Sequence, residues 1–257
     1  MDIIVIGALA SLGAGLMTGL GAVPVLFGRS ISRGANDAFL GFAAGVMLSA
    51  SYFSLILPGI EAGEEVHGSL VAAAFIAAGG ITLGAVAVAA LNEALPHQHF
   101  QRGQEGDVSS GLSKVWLFVL AITIHNFPEG MAVGIGFGGG NVSNGMSLAT
   151  GIGLQNAPEG LAVAVALRGQ GYARLSAFLI ALATGLIEPV GGLIGVWAVH
   201  VSIFILPWGL TFAAGAMIYI ISHEIIPETH RYGHQNAATA GLTIGVVLMM
   251  LLDVILA

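Results

Sequence analysis

Three glutamates stand where a lipid-embedded chain should not tolerate them. Glu129 falls in the string HNFPEG, Glu159 in QNAPEG thirty residues later, and Glu188 precedes Pro189. Each lies near the middle of an apolar stretch of roughly 20 residues, the length a helix needs to cross a bilayer. Ionisable groups at that depth are costly and by default mark a pathway or a site. Residues i and i+4 share a helix face, so His125 sides with Glu129 and Gln155 with Glu159, with Asn126 and Asn156 adjacent. No Lys or Arg occurs inside these stretches. Left unpaired, each carboxylate would protonate or bear a large desolvation penalty, so a bound cation is the natural partner. One imidazole, carboxylates and amide oxygens suit zinc, iron(II), manganese or cadmium, whereas copper(I) would want Cys or Met. Such a set exceeds the four ligands of a closed zinc site and fits either two ions or one ion exchanging among sets. Pro128 and Pro158 cannot bond the carbonyls of Ile124 and Leu154, which predicts kinked helices around a cavity. The competing structural reading is protonated glutamates bonded to amides, stabilising a bundle.

The elements that position these groups follow from composition. Of 257 residues, 56% are hydrophobic and only 8% charged, against about 25% charged in soluble domains. Mean hydropathy is +0.92. The net charge of -7 argues against a nucleic-acid partner, and the absence of cysteine excludes disulfides, iron–sulfur clusters and thiolate sites. Eight spans are predicted, at 3–27, 38–60, 69–91, 116–137, 146–167, 176–199, 203–226 and 237–256. None alternates in polarity as a barrel strand would. The predicted fold is therefore all-α, a polytopic integral membrane protein forming a single transmembrane domain over 1–257.

All seven basic residues fall in alternate loops: Arg29 and Arg33, Arg102 and Lys114, Arg168 and Arg174, then Arg231. Cytoplasmic loops collect such residues, so both termini are expected outside and segment 96–113 is expected to be a cytoplasmic loop. Only Met1 and Asp2 precede the first span, so the basic segment of a cleaved signal is missing and that span is expected to remain. The expected location is the cell (inner) membrane, as a multi-pass protein. Glycines four apart, such as Gly15 with Gly19 and Gly241 with Gly245, predict close helix packing, with a homodimer face as the lesser reading.

Acidic residues gather at the outer ends: Glu61, Glu64 and Glu65 after the second span and Asp253 in the eighth. A negative mouth concentrates cations. Histidines favour the inner side, where His97, His99, His223 with Glu224, and His230 form candidate exit ligands.

The paired strings HNFPEG and QNAPEG, with Glu188 in the next helix and SHEIIPETHR in the seventh, resemble the signature of the ZIP (Zrt/Irt-like) family of metal-ion transporters, most closely its compact prokaryotic branch. The resemblance implies a transport site on His125, Asn126, Glu129, Gln155, Asn156, Glu159 and Glu188. It implies movement of zinc and related divalent ions (Zn, Cd, Fe, Mn) into the cytoplasm, the metal being cargo and no cofactor being needed. It further implies an inverted relation between helices 1–3 and 6–8. Through SLILPGIE it places Ser54 and Glu61 near the entrance and Met47 at its gate. Some relatives carry an acid or His where Gln155 and Asn156 stand. Rival functions are a cation channel or proton-coupled exchanger using the same glutamates, and an intramembrane metalloprotease suggested by His223–Glu224. In the last, Pro227 occupies the second His position of H-E-x-x-H.

Overall fold

The computed structural model describes residues 2–28, 31–94, 97–99, 103–105, 114–231 and 233–256. In chain order, α1 is Ile3–Leu26, and a second span joins α2 (Arg33–Ala50), a π-helical turn (Ser51–Ile56) and α3 (Leu57–His67). Next come α4 (Leu70–Ala94), α5 (Lys114–Gly138), α6 (Val142–Gly169), and a divided sixth span of α7 (Arg174–Gly185) and α8 (Glu188–Val201). The seventh span joins α9 (Ile205–Ile220), a second π turn (Ile221–Ile225) and α10 (Ile226–Thr229), and α11 is Gln235–Leu256. The strands among the described residues are β1 (His97–His99) and β2 (Gly103–Glu105), an antiparallel pair inside the expected loop.

Local chemistry sets several ends. Asp2, Ser32 and Asn141 cap α1, α2 and α6 by accepting from Ile4 N at 3.1 Å, Ala35 N at 3.2 Å and Asn144 N at 3.0 Å. Gly68, at φ 69°, ends α3 in the left-handed region.

Seven helical stretches are long and apolar enough to cross a membrane. The remaining one, α6, is 28 residues long with sixteen of them buried. Its low hydropathy has a structural reason: Gln155, Asn156 and Glu159 are covered by neighbouring helices rather than by lipid. The eight predicted segments are thus all helical, although the second is longer than expected, running over Arg33–His67.

The helices α5 and α6 run continuously through Pro128 and Pro158. A break at depth divides the sixth span at Leu186–Ile187, placing Glu188 and Pro189 in the first turn of α8. Proline is favoured there because its missing N–H is one the helix start leaves unbonded anyway.

Two bundles result. In one, α1 packs chiefly on α6 and α5 on α8; in the other, α2 packs on α11 and α4 on α9. Glycines let these helices approach to backbone contact. A Cβ on Gly130 would overlap the Glu188 carbonyl, and one on Gly160 the carbonyl of Thr18. The four-apart glycines foreseen for packing all face neighbours within the chain.

Candidate metal centre

The seven central candidates are carried by α5, α6 and α8, all in the first bundle. His125 is 2% exposed, Glu159 4%, and Asn126, Glu129, Gln155, Asn156 and Glu188 0%. Gln155 Nε2 donates to Glu129 Oε1 at 2.7 Å, and Asn156 Nδ2 donates to Glu188 Oε1 at 2.7 Å. Left without a partner are both polar atoms of the Asn126 amide, Glu129 Oε2, Gln155 Oε1, Asn156 Oδ1 and Glu188 Oε2. Buried polar atoms are normally satisfied, and five of these six are oxygens able to ligate a cation. Among the described residues, no three His, Asp or Glu side chains converge tightly enough to hold an ion by themselves. The amides, or a side-chain movement, must complete any coordination shell.

Glu224, expected on the exit side, reaches the centre. His125 Nε2 lies 2.9 Å from Glu224 Oε1, which also accepts from Asn92 Nδ2 at 3.1 Å. Sequence reasoning missed Asn92, whose signal was a buried amide near the end of an apolar span. A cavity of about 200 Å³ is lined by Arg33, Asn36, His125, Glu224 and Glu228 among others. It opens toward the end of the molecule where α2 starts at Arg33 and α7 at Arg174.

Among the described residues, the exit candidates His223 and His230 do not line this cavity. His223 is stacked on Tyr219 with ring centroids 4.8 Å apart, and His230 Nδ1 sits 2.9 Å from Ile226 O on its own helix. His97 and His99 lie in β1, and their side chains are outside the described residues.

At the opposite end, a cavity of about 250 Å³ is lined by Glu61, Asn144, Ser147 and Asp253 among others. Asp253 Oδ1 accepts from Ser54 Oγ at 2.6 Å and also from Ser147 Oγ, while Oδ2 has no partner. Ser54, Glu61 and Asp253 are thereby grouped, and Ser147 joins a cluster the sequence had not assigned it. Met47 is fully buried in the main apolar cluster.

The structure is thus that of a multi-pass helical membrane protein that gathers carboxylates, imidazole and amides in its interior. The chain belongs to the ZIP family: residues 90–253 match the family model described as ZIP Zinc transporter. It is 46% identical to the zinc transporter GufA of Myxococcus xanthus, over 96% of this chain and 97% of that protein. Against the zinc transporter ZIPB of Bordetella bronchiseptica it is 47% identical, over 92% of this chain and 76% of that one. It is also 34% identical to human zinc transporter ZIP11, with 93% of each covered.

Proposed function

We propose that this protein carries zinc, and related divalent ions such as cadmium, iron(II) and manganese, across the cell membrane into the cytoplasm. The observation that carries the reading is the enclosed set His125, Asn126, Glu129, Gln155, Asn156, Glu159 and Glu188, rich in unpartnered oxygens and free of any Lys or Arg. Membership of a family of zinc transporters supports it.

The end bearing Arg33, Arg168, Arg174 and Arg231 faces the cytoplasm, as the positive-inside tendency favours, which puts both termini outside. Of the two cavities, the cytoplasmic one takes His125 from the centre and the outer one takes none of the seven. That contrast supports a conformation open to the inside.

An inverted repeat of spans 1–3 and 6–8 is supported by three pairings. The second and seventh spans each contain a π turn followed by a helix with proline in its first turn, Pro58 or Pro227. The α1–α6 packing is mirrored by α5–α8. The outer contact of Ser54 with Asp253 has an inner counterpart in Glu224 with Asn92.

All seven donors ride on one bundle, whereas Glu224 belongs to the other. Displacing one bundle against the other would carry the ion from the outer mouth toward the inner cavity, as expected of a carrier built from repeats. Zinc entry into liposomes holding the purified protein tests this. Saturable, bidirectional exchange supports a carrier, unsaturable flux a channel, and no flux defeats the reading. The protease alternative is disfavoured because His223 is stacked on Tyr219 and Pro227 replaces the second histidine.

The outer cluster should load the ion. Asp253→Asn keeps the serine contacts but removes the charge, and is expected to raise the half-saturating zinc concentration by roughly tenfold, since a negative mouth raises local cation concentration. Initial uptake rates across free zinc concentrations would show this; an unchanged half-saturation point would mean the mouth does not load the ion.

A further inference from the structure

The basic residues at the end of the molecule where α2 and α7 begin are balanced differently in the two bundles. In the second bundle acids lie beside them: Glu228 Oε2 is 3.9 Å from Arg231 Nη1, and Asp37 Oδ2 is 2.9 Å from His234 Nδ1. In the first bundle Lys114 starts α5, Arg168 stands in the last turn of α6 and Arg174 starts α7. The acids on its helices are Glu129, Glu159 and Glu188, all central. This end of the first bundle therefore presents positive charge that no carboxylate of its own helices offsets.

That charge is set in an aromatic frame. Trp116 Nε1 donates to Tyr172 Oη at 2.7 Å, with ring centroids 6.3 Å apart and planes at 74°. The backbone carbonyl of Tyr172 in turn accepts from Arg168 Nη1. A guanidinium has five N–H donors, so this bond fixes Arg168 and leaves the others for a ligand. Arg174 lies over the turn that ends α1, since a Cβ on Gly28 would come within 2.6 Å of its Nη2. The rim around both arginines is apolar and exposed, with Phe27 76%, Leu175 60% and Trp116 38% accessible. Ala173 gives α7 no side-chain cap, so the first amides of that helix open on the surface that carries Arg174.

We infer that this end of the first bundle binds the phosphate of an anionic lipid, with Arg168 and Arg174 on the headgroup and Trp116 and Phe27 against the acyl chains beneath it. Arginine suits phosphate because its planar fork can give two parallel N–H bonds to the oxygens. Tryptophan and tyrosine suit the same depth, where one end of the ring is apolar and the other wet. A soluble phosphate could use the arginines, but it would leave the exposed apolar rim uncovered. A lipid uses both parts. The same bundle carries the seven central donors, so on the transport reading above a bound headgroup holds the ion-carrying bundle by its end.

Quenching of Trp116 fluorescence by brominated lipid tests this on the full chain in vesicles. The chain has three tryptophans, and Trp197→Phe with Trp208→Phe leaves Trp116 alone. Brominated phosphatidylglycerol should quench it at about one-fifth, or less, of the mole fraction that brominated phosphatidylcholine requires, since one basic residue at such a surface is worth about fivefold. Equal quenching by the two lipids overturns the proposal, and this comparison needs no change to either arginine. A preference that survives Arg168→Gln with Arg174→Gln overturns the role given to those residues. A preference abolished by millimolar inorganic phosphate makes a soluble anion the ligand and also overturns it. Zinc uptake in pure phosphatidylcholine keeps the inference apart from the transport reading. The arginine variant should match wild type there, and a slower variant would assign the arginines to transport rather than to lipid. Absence of flux from both proteins defeats the transport reading, while the quenching comparison still decides the lipid site.

Discussion

Zinc flux through the double variant Glu129→Gln with Glu159→Gln is expected to fall by about 100-fold or more, with the fold intact. Removing groups one shell beyond a metal already costs about 10–100-fold in affinity or activity, and these two carboxylates are the proposed direct ligands. Glutamine keeps the shape and leaves an acceptor at position 129 for the Gln155 amide, so the contact of 2.7 Å has a replacement. It also removes two ionisable groups from sites 0% and 4% exposed. Exchanging buried charge for neutral groups of similar volume is often neutral or stabilising. Melting temperature without metal should therefore hold or rise while flux disappears. A purely structural role for the glutamates predicts the reverse, a lower melting temperature with flux retained in the folded fraction. Thermal unfolding and liposome uptake measured on one preparation separate the two.

Gly130→Ala and Gly160→Ala are expected to destabilise the protein strongly through a single methyl group each. At both positions the added carbon would overlap a backbone carbonyl of a neighbouring helix, that of Glu188 or of Thr18. Backbone cannot rotate away as a flexible side chain can, so the helices must separate. Overpacking of this kind costs typically about 1–3 kcal/mol, and each kcal/mol lowers the melting temperature of a chain this size by about 2–4 °C. Gly13→Ala is the matched control on α1, since a Cβ there meets nothing within 4 Å. Its melting temperature should stay near that of wild type. The two tight positions also differ from each other: Gly130 abuts Glu188, so its alanine variant should weaken metal protection against unfolding beyond its effect on the bare protein. Equal melting temperatures for all three variants would mean the helices are not held at backbone contact.

The two motif strings show how far sequence reading reaches. HNFPEG and QNAPEG announce their positions because helix periodicity and the aversion of lipid for charge act locally, so His125 could be placed beside Glu129 on one face. Hydropathy also located α6, although its polar residues make it the least apolar of the eight spans. Pro128 and Pro158 lie inside continuous helices, whereas the sixth span divides at Leu186–Ile187, where α8 begins beside α1 and α5.

By itself, the sequence determined the number and type of the spans, the end at which basic residues collect, and the three helices carrying buried carboxylates. Each depends on transfer energies and helix geometry that a short stretch of chain settles alone. Tertiary structure decided which groups meet: Glu224 with His125 at 2.9 Å, Asp253 with Ser54 at 2.6 Å, and Ala14 with Asn156 at 2.9 Å. Those contacts join residues 99, 199 and 142 positions apart. Their existence depends on how closely glycine-lined helices approach, which is a property of the packed bundles and not of any one segment.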